Sequence, residues 1–450
     1  MRKSLFPLPV VGLLLLAFLP VCLFLSLKYH FQDRLIPGVN FRGHSLGGLP
    51  LTDAGVVIEE VASQLETTPV HFYHGDQTWE VMPREMGIEV NRKALLEMAY
   101  KIGRQGSPYQ QVQECWQAWR RGRELEAIMV VDDGEWERYF LGLAQEVNKR
   151  PQNATVDPDT MLILPECQGL QLDEGATFKV LLEELKNPLT GRLALEVRKI
   201  EAATTKKMIA SLGELSILGR AATPFDPRDE NRTVNLRVAA AALDGSLIKK
   251  GEVLSFNTVV GPREPEYGYL KAPEIIAQEL VTGFGGGVCQ VSSTLFHASL
   301  LAGMHVAERH GHSRPSTYIL LGLDAAVAYD YLDLKLMNKG LTPLLLTARL
   351  RDNQVEVAIL GKKWGIEEIH LREKERVEIP IPREEVLDPT LLPGEYLQEE
   401  AGAPGYRVTI ERVYSLEGRE IRRETVSKSY YAPRPRIIRT GVLEASPRTR

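Results

Sequence analysis

Twelve residues in the second half of the chain constrain its fold more than any others: Gly283-Phe284-Gly285-Gly286-Gly287-Val288-Cys289-Gln290-Val291-Ser292-Ser293-Thr294. A glycine-rich loop runs into a cysteine, and a helical pattern starts there. Val288, Val291, Leu295, Ala298 and Leu301 fall three or four residues apart, one face of an α-helix, and Gly303 stands where a C-terminal cap belongs. The spacing therefore predicts a thiol at a helix N-terminus, where free N–H groups and the macrodipole favour the thiolate. The preceding glycines permit unusual dihedrals and close approach. A nucleophile site and a structural turn both fit.

The chain has 450 residues, which is room for roughly two to four domains. Its net charge of -5, with acids and bases well mixed, gives no general case for binding nucleic acid. Arg2 and Lys3 precede an apolar run from Leu5 to Leu27. That run is long enough to span a bilayer as a helix, and the leading bases place the N-terminus in the cytoplasm. The expectation is a single-pass signal anchor over residues 1–30, with the bulk of the chain extracellular. No small-x-small cleavage site follows Leu27, and Val21 is too large to precede a lipidated Cys22.

Three further cysteines follow, Cys115, Cys167 and Cys289, so at least one is unpaired. A Cys115–Cys167 disulfide and two separate thiols both remain open. No pair has metal-finger spacing. Cys289 and His297 stand about two helical turns apart, roughly 12 Å along the axis, too far to share an ion comfortably. No metal and no cofactor is expected.

Leu51 to Leu65 reads as an amphipathic helix. An internal repeat follows. Pro83 through Asn91 opens a helix through Ala94, Leu95 and Met98, and Pro165 through Asp173 opens another through Ala176, Phe178 and Leu181. Pro, Gly and the Asn/Asp cap match at a constant offset of 82 residues, each behind a strand-like lead-in, Val70–Val81 and Thr160–Leu164. Past the polar stretch at Pro224 to Arg232, Val234 to Leu247 reads as an Ala-rich helix. Beyond Gly303 the period becomes 2. Val306 to His312, Tyr331 to Leu336, Leu344 to Leu350 and Val355 to Leu360 read as strands, the last three as an antiparallel meander. Arg407–Tyr414 and Ile421–Tyr430 flank Glu417-Gly418 as a long hairpin.

Phe256-Asn257, Val260-Gly261-Pro262-Arg263, Gly286 through Thr294, Glu308-Arg309-His310, His312-Ser313-Arg314-Pro315, Asp324-Ala325 and Tyr331 through Leu334 together closely resemble the VanW family, across about residues 223–362. The resemblance implies no particular reaction. The paired units resemble the peptidoglycan-binding domain that often precedes VanW domains in Gram-positive bacteria. The C-terminal part, with Pro404-Gly405-Tyr406-Arg407-Val408-Thr409-Ile410 and Pro433-Arg434-Pro435-Arg436, resembles the G-five module of wall and glycan adhesion.

The expected fold class is therefore α+β. It comprises a transmembrane anchor at 1–30, two repeated small α+β units at 31–222, a helix-plus-antiparallel-sheet VanW domain at 223–362, and an extended all-β module at 363–450.

Two functions stay open. One is a membrane-anchored envelope protein that binds or organises peptidoglycan, its partners a wall glycan or peptide and the membrane, with no nucleic acid. The other is a cysteine-dependent acyl transferase or hydrolase of wall peptides, with a transglutaminase-like order of Cys, His and Asp. In the second, Cys289 is the nucleophile, His312 or His310 shuttles the proton and Asp333 orients the imidazole. Gly286, Gly287, Gln290 and Arg314 are the candidates for holding an oxyanion or the substrate.

Overall fold

A computed structural model describes residues 28–186, 192–276, 279–363 and 367–441. They form two compact units. One comprises residues up to 149 together with 170–199, and the other 150–169 together with 200 onward.

In the first unit the helix Leu51–Thr67 is followed by a hairpin, Val70–His74 with Gln77–Val81, and Arg192–Ala194 pairs parallel to its first strand. Ile58, Leu65, Phe72, Met86, Leu95 and Leu181 share its core. The repeated caps form as the spacing predicts. Asn91 accepts from the Ala94 N–H at 2.9 Å and Asp173 from the Ala176 N–H at 3.1 Å, each opening a helix, Arg92–Lys101 and Glu174–Lys186.

The lead-ins do not repeat. The first is the hairpin just described, whereas the second is a two-residue strand, Ile163–Leu164, paired with Thr155–Val156 inside the second unit. There Ala154 and Val156 pack on Leu345, Ala358 and Leu360. Asp159 bridges Arg220 at 2.8 Å and also binds Arg349 and Arg351.

The fold class needs a correction at the N-terminus. No helix among the described residues is long and apolar enough to cross a membrane. The apolar run behind that expectation, up to Leu27, lies outside the described residues. Cys115, Cys167 and Cys289 are all free, so the Cys115–Cys167 bridge does not form.

The second unit is built on a four-stranded antiparallel sheet, ordered Ser216–Pro224, Gln354–Gly361, Leu344–Arg351, Ser246–Ile248. Its central hairpin turns on Asp352 and Asn353, both at positive φ. Two helices cover the sheet: Glu230–Leu243, capped by Asp229, and the cysteine helix Val288–Leu301. Leu236, Ala240, Val291, Leu295 and Ala298 meet Val357, Ile359, Leu346 and Ala348 in one core. The cysteine helix lies so close to the first strand that a Cβ at Gly219 would stand 2.3 Å from the Ala298 carbonyl oxygen. Only glycine fits there.

The expected meander is divided between two sheets. Tyr331 to Leu334 is not a strand; Lys335–Met337 is, and it joins a separate sheet between Val253–Ser255 and His305–Glu308. Alternation misled because Asp333 turns inward to hydrogen-bond Ser255 and the Asn257 N–H, fixing the start of the short helix Phe256–Val260.

The C-terminal hairpin forms as expected, Gly405–Leu416 with Arg419–Tyr431, and Glu367–Ile379 pairs along the first of these strands. Its burial is the surprise. Val408, Ile410 and Tyr431 join the core of the cysteine helix. Arg412 is buried and donates to the Leu300 and Met304 carbonyls at 3.1 and 2.8 Å, a cation where the helix dipole is negative.

Leu295, fully buried between helix and sheet, gives the direct test of this packing. Leu295→Ala is expected to cost about 2–5 kcal/mol of stability, read as an earlier denaturant midpoint for the second unit.

Candidate active site

The hairpin Lys271–Ile276 and Glu279–Phe284 delivers the chain to the glycine turn. Gly285 and Gly287 have φ of 88° and 109°, a backbone that side chains rarely adopt. Gly286 lies between them, so close to the hairpin that a Cβ would stand 2.6 Å from the Ala272 carbonyl oxygen. Asn235, buried on the neighbouring helix, donates to the Gly286 carbonyl at 3.0 Å and pins the loop. Cys289 is thereby the second residue of its helix. Its N–H has no acceptor among the described residues.

The Cys289 sulfur interacts electrostatically with the His312 ring and donates to the Val327 carbonyl oxygen at 3.4 Å. His312 Nδ1 is 2.7 Å from Asp324 Oδ2, which also accepts the His312 backbone N–H at 2.7 Å. With Nδ1 engaged, Nε2 is the ring nitrogen left for the thiol. Two serines hold this geometry. Ser292 donates to the Ala325 carbonyl at 2.6 Å, and the Ala325 N–H donates to Ser293 at 2.9 Å. Both hydroxyls also bond the Cys289 carbonyl, so the residue after Asp324 is fastened to the turn that carries the thiol.

The charges favour an ion pair. Burial opposes ionisation of Cys289, yet the His312 hydrogen bond and charge, with the Arg263 guanidinium, hold the thiol below its ordinary value. Burial also works against a charged His312, but Asp324 and Cys289 outweigh it and raise the imidazole to about 9. Asp324 is buried too; His312 and Arg309 nevertheless hold its carboxyl down at about 2. The contacts that lower the thiol are those that raise the imidazole, so the pair is biased toward thiolate and imidazolium.

Cys289 and His312 stand together as the sequence suggested, and the acid is Asp324 instead of Asp333. Asp333 spends its carboxylate on Ser255 at 2.6 Å and the Asn257 and Leu334 N–H groups at 3.0 and 2.8 Å. His310 pairs with Glu308 at 3.1 Å. Gln290 is buried and committed, donating to Thr223 and Pro224 and accepting from Arg232. The Gly286 and Gly287 carbonyls are likewise taken, by Asn235 and the Gln290 N–H. Arg314 keeps its Nε buried without a hydrogen bond among the described residues.

Three residues escaped sequence reasoning: Asp324, Arg263 and Tyr318. Burial and the nearby Cys289 push the ionisation of Tyr318 up. Asp324 had a usable signal, since Asp324-Ala325 is among the residues that carry the VanW resemblance.

A cysteine at a helix start, with a histidine and a buried acid on following segments, has the order of groups seen in papain-like and transglutaminase-like sites. Three known families match the chain: VanW like protein over residues 231–360, "Putative peptidoglycan binding domain" over 79–192, and the G5 domain over 370–442. YoaR of Bacillus subtilis is 31% identical over 225 residues, 50% of this chain and 74% of that protein. The vancomycin B-type resistance protein VanW of Enterococcus faecalis is 34% identical over 114 residues, 24% of this chain and 42% of that one. The solved IgA1 protease G5 domain is 34% identical, covering 17% of this chain and 92% of its own, with a TM-score of 0.15. The chain belongs to the VanW family. Its three domains and these relatives mark it as a cell-wall-associated protein.

The geometry fixes how the thiol titrates. An acid with a depressed pKa gains charge early, so iodoacetamide is expected to label Cys289 well below the roughly pH 8.5 of a free cysteine. His312 is the opposite case: its imidazolium is present below about pH 9 and lost above it. The pair therefore persists between the lowered thiol value and about 9, which a labelling profile of the Cys289 peptide checks.

The two aspartates separate cleanly. Asp324→Asn is expected to slow neutral-pH labelling by about tenfold, one pKa unit of lost thiolate. Asp333→Ala leaves labelling unchanged but lowers stability by about 1–3 kcal/mol, through the buried N–H groups it strands.

Proposed function

We propose that this protein is a cysteine-dependent acyl transferase or hydrolase that works on wall peptides outside the cell. The observation that carries this reading is the chain of contacts Cys289–His312–Asp324 at a helix N-terminus. A structural cysteine needs neither a charged histidine nor a buried acid behind it.

The steps follow from the groups present. The Cys289 thiolate attacks the carbonyl carbon of an amide, forming a C–S bond as the carbonyl electrons move onto oxygen. The unpaired Cys289 N–H is placed to hold that oxyanion. Nε2 of the imidazolium gives its proton to the nitrogen of the breaking C–N bond, and the amine leaves. A thioester remains. Water or a second amine then attacks it, His312 takes the incoming proton, and the C–S bond breaks to return the thiolate. Asp324 keeps its charge throughout and holds the ring in one tautomer.

Purified sacculi and synthetic stem peptides test this. The wild-type chain is expected to release or join peptide and to carry a transient mass adduct at Cys289. Cys289→Ala removes both while leaving the melting temperature unchanged. A variant equal to wild type in peptide turnover sinks the reading.

A binding role for the first unit rests on a separate observation. A cavity of about 620 Å³ is lined by Phe31 and Ile36 and by Tyr100, Arg104, Trp116 and Trp119, the last four in the matched peptidoglycan-binding domain. Exposed Trp116 and Trp119 offer ring faces to the apolar faces of sugars. Trp116→Ala with Trp119→Ala is expected to weaken retention on sacculi several-fold without altering Cys289 labelling.

A further inference from the structure

We infer that the C-terminal β-module is a working part of the cysteine site, with Tyr431 as a positioning residue that holds Asp324 against His312. This rests on the Cys289–His312–Asp324 reading above and extends it to a strand more than a hundred residues away.

Tyr431 ends the second strand of the module's hairpin, Arg419–Tyr431, and is almost fully buried. Its hydroxyl donates to Asp324 Oδ1 and accepts the Gly322 N–H at 2.7 Å. Asp324 Oδ2 faces His312, so the tyrosine binds one carboxylate oxygen while the imidazole binds the other. A carboxylate held at both oxygens cannot rotate about its Cβ–Cγ bond.

The same strand reaches the site a second time. Arg309 donates Nη1 to the Ser429 hydroxyl at 2.9 Å, Nη2 to Asp324 Oδ1 at 3.0 Å and Nε to the Asp324 carbonyl at 2.7 Å. The guanidinium that neutralises Asp324 is therefore aimed by a serine of the module.

The ionisable groups about this cluster are Asp324, Arg309, His312, Cys289, Tyr318, Arg263 and Tyr431. Burial and the Asp324 charge push Tyr431 up to about 12, so it stays a donor throughout the range in which the thiol titrates. A module that served only to adhere to a polymer has no use for a buried phenol on this acid.

The test is the pH profile of iodoacetamide labelling at the Cys289 peptide of the full chain, with Tyr431→Phe against Tyr414→Phe. Tyr414 lies on the same module but bonds Glu424 at 2.7 Å, so it controls for damage to the module. Without the tyrosine, Arg309 alone holds Asp324 Oδ1, and the support that Asp324 gives His312 weakens. The expected result is a labelling midpoint about one unit higher and a neutral-pH rate about tenfold lower for Tyr431→Phe, the two being one change. Tyr414→Phe keeps the wild-type profile.

Profiles that coincide for wild type and Tyr431→Phe, both folded, overturn the inference and leave the thiolate reading intact. A wild-type midpoint at the ordinary cysteine value removes that reading, and this inference with it. Should Tyr431→Phe fail to fold, Ser429→Ala reads the same link through Arg309. It is expected to shift the profile in the same direction by a smaller amount, and an unchanged profile there counts against the proposal.

Discussion

One buried carboxylate organises the second unit. Asp324 is 1% exposed, and an ion so placed costs several kcal/mol unless its hydration is replaced. The His312 ring and backbone N–H, Arg309 and Tyr431 supply that replacement. The donors come from two stretches of chain, the segment with Arg309 and His312 and the strand that ends at Tyr431, so satisfying the charge fixes the two against the Asp324 loop. Cys289 joins last, through His312, and gains a lowered thiol pKa from an arrangement that the acid requires anyway.

Rigidity around that acid comes from ordinary means. Gly219 lets the cysteine helix lie against the sheet, Arg412 closes its C-terminal carbonyls, and Ser292 and Ser293 stitch its first turns to Ala325. The hydroxyls of Ser292, Ser293 and Thr294 bond back to the preceding turn of their helix. All three are buried and bonded, and they serve as fasteners.

What was legible in the sequence was local. The helix start at Cys289, the repeated Asn91 and Asp173 caps and the Glu417-Gly418 hairpin rest on short-range spacing, and they stand where the spacing put them. The acid was missed because strict alternation over Tyr331 to Leu336 made Asp333 look like a strand residue facing the histidines. Alternation cannot register that a side chain turns back to cap a helix 76 residues earlier. Nor could it reveal Tyr431, 107 residues from Asp324 and in a different matched domain. Long-range polar satisfaction leaves no periodic trace.

The chain passes between the two units three times, at 149/150, 169/170 and 199/200. In sequence, residues 150–169 belong to the second unit and interrupt the first. A gene fragment beginning at the apparent boundary near residue 223 would discard the short strands at 155–156 and 163–164, and with them Asp159, the counter-charge to Arg220 and Arg349. No single cut of the chain separates the two units, so a fragment that carries one whole unit carries part of the other.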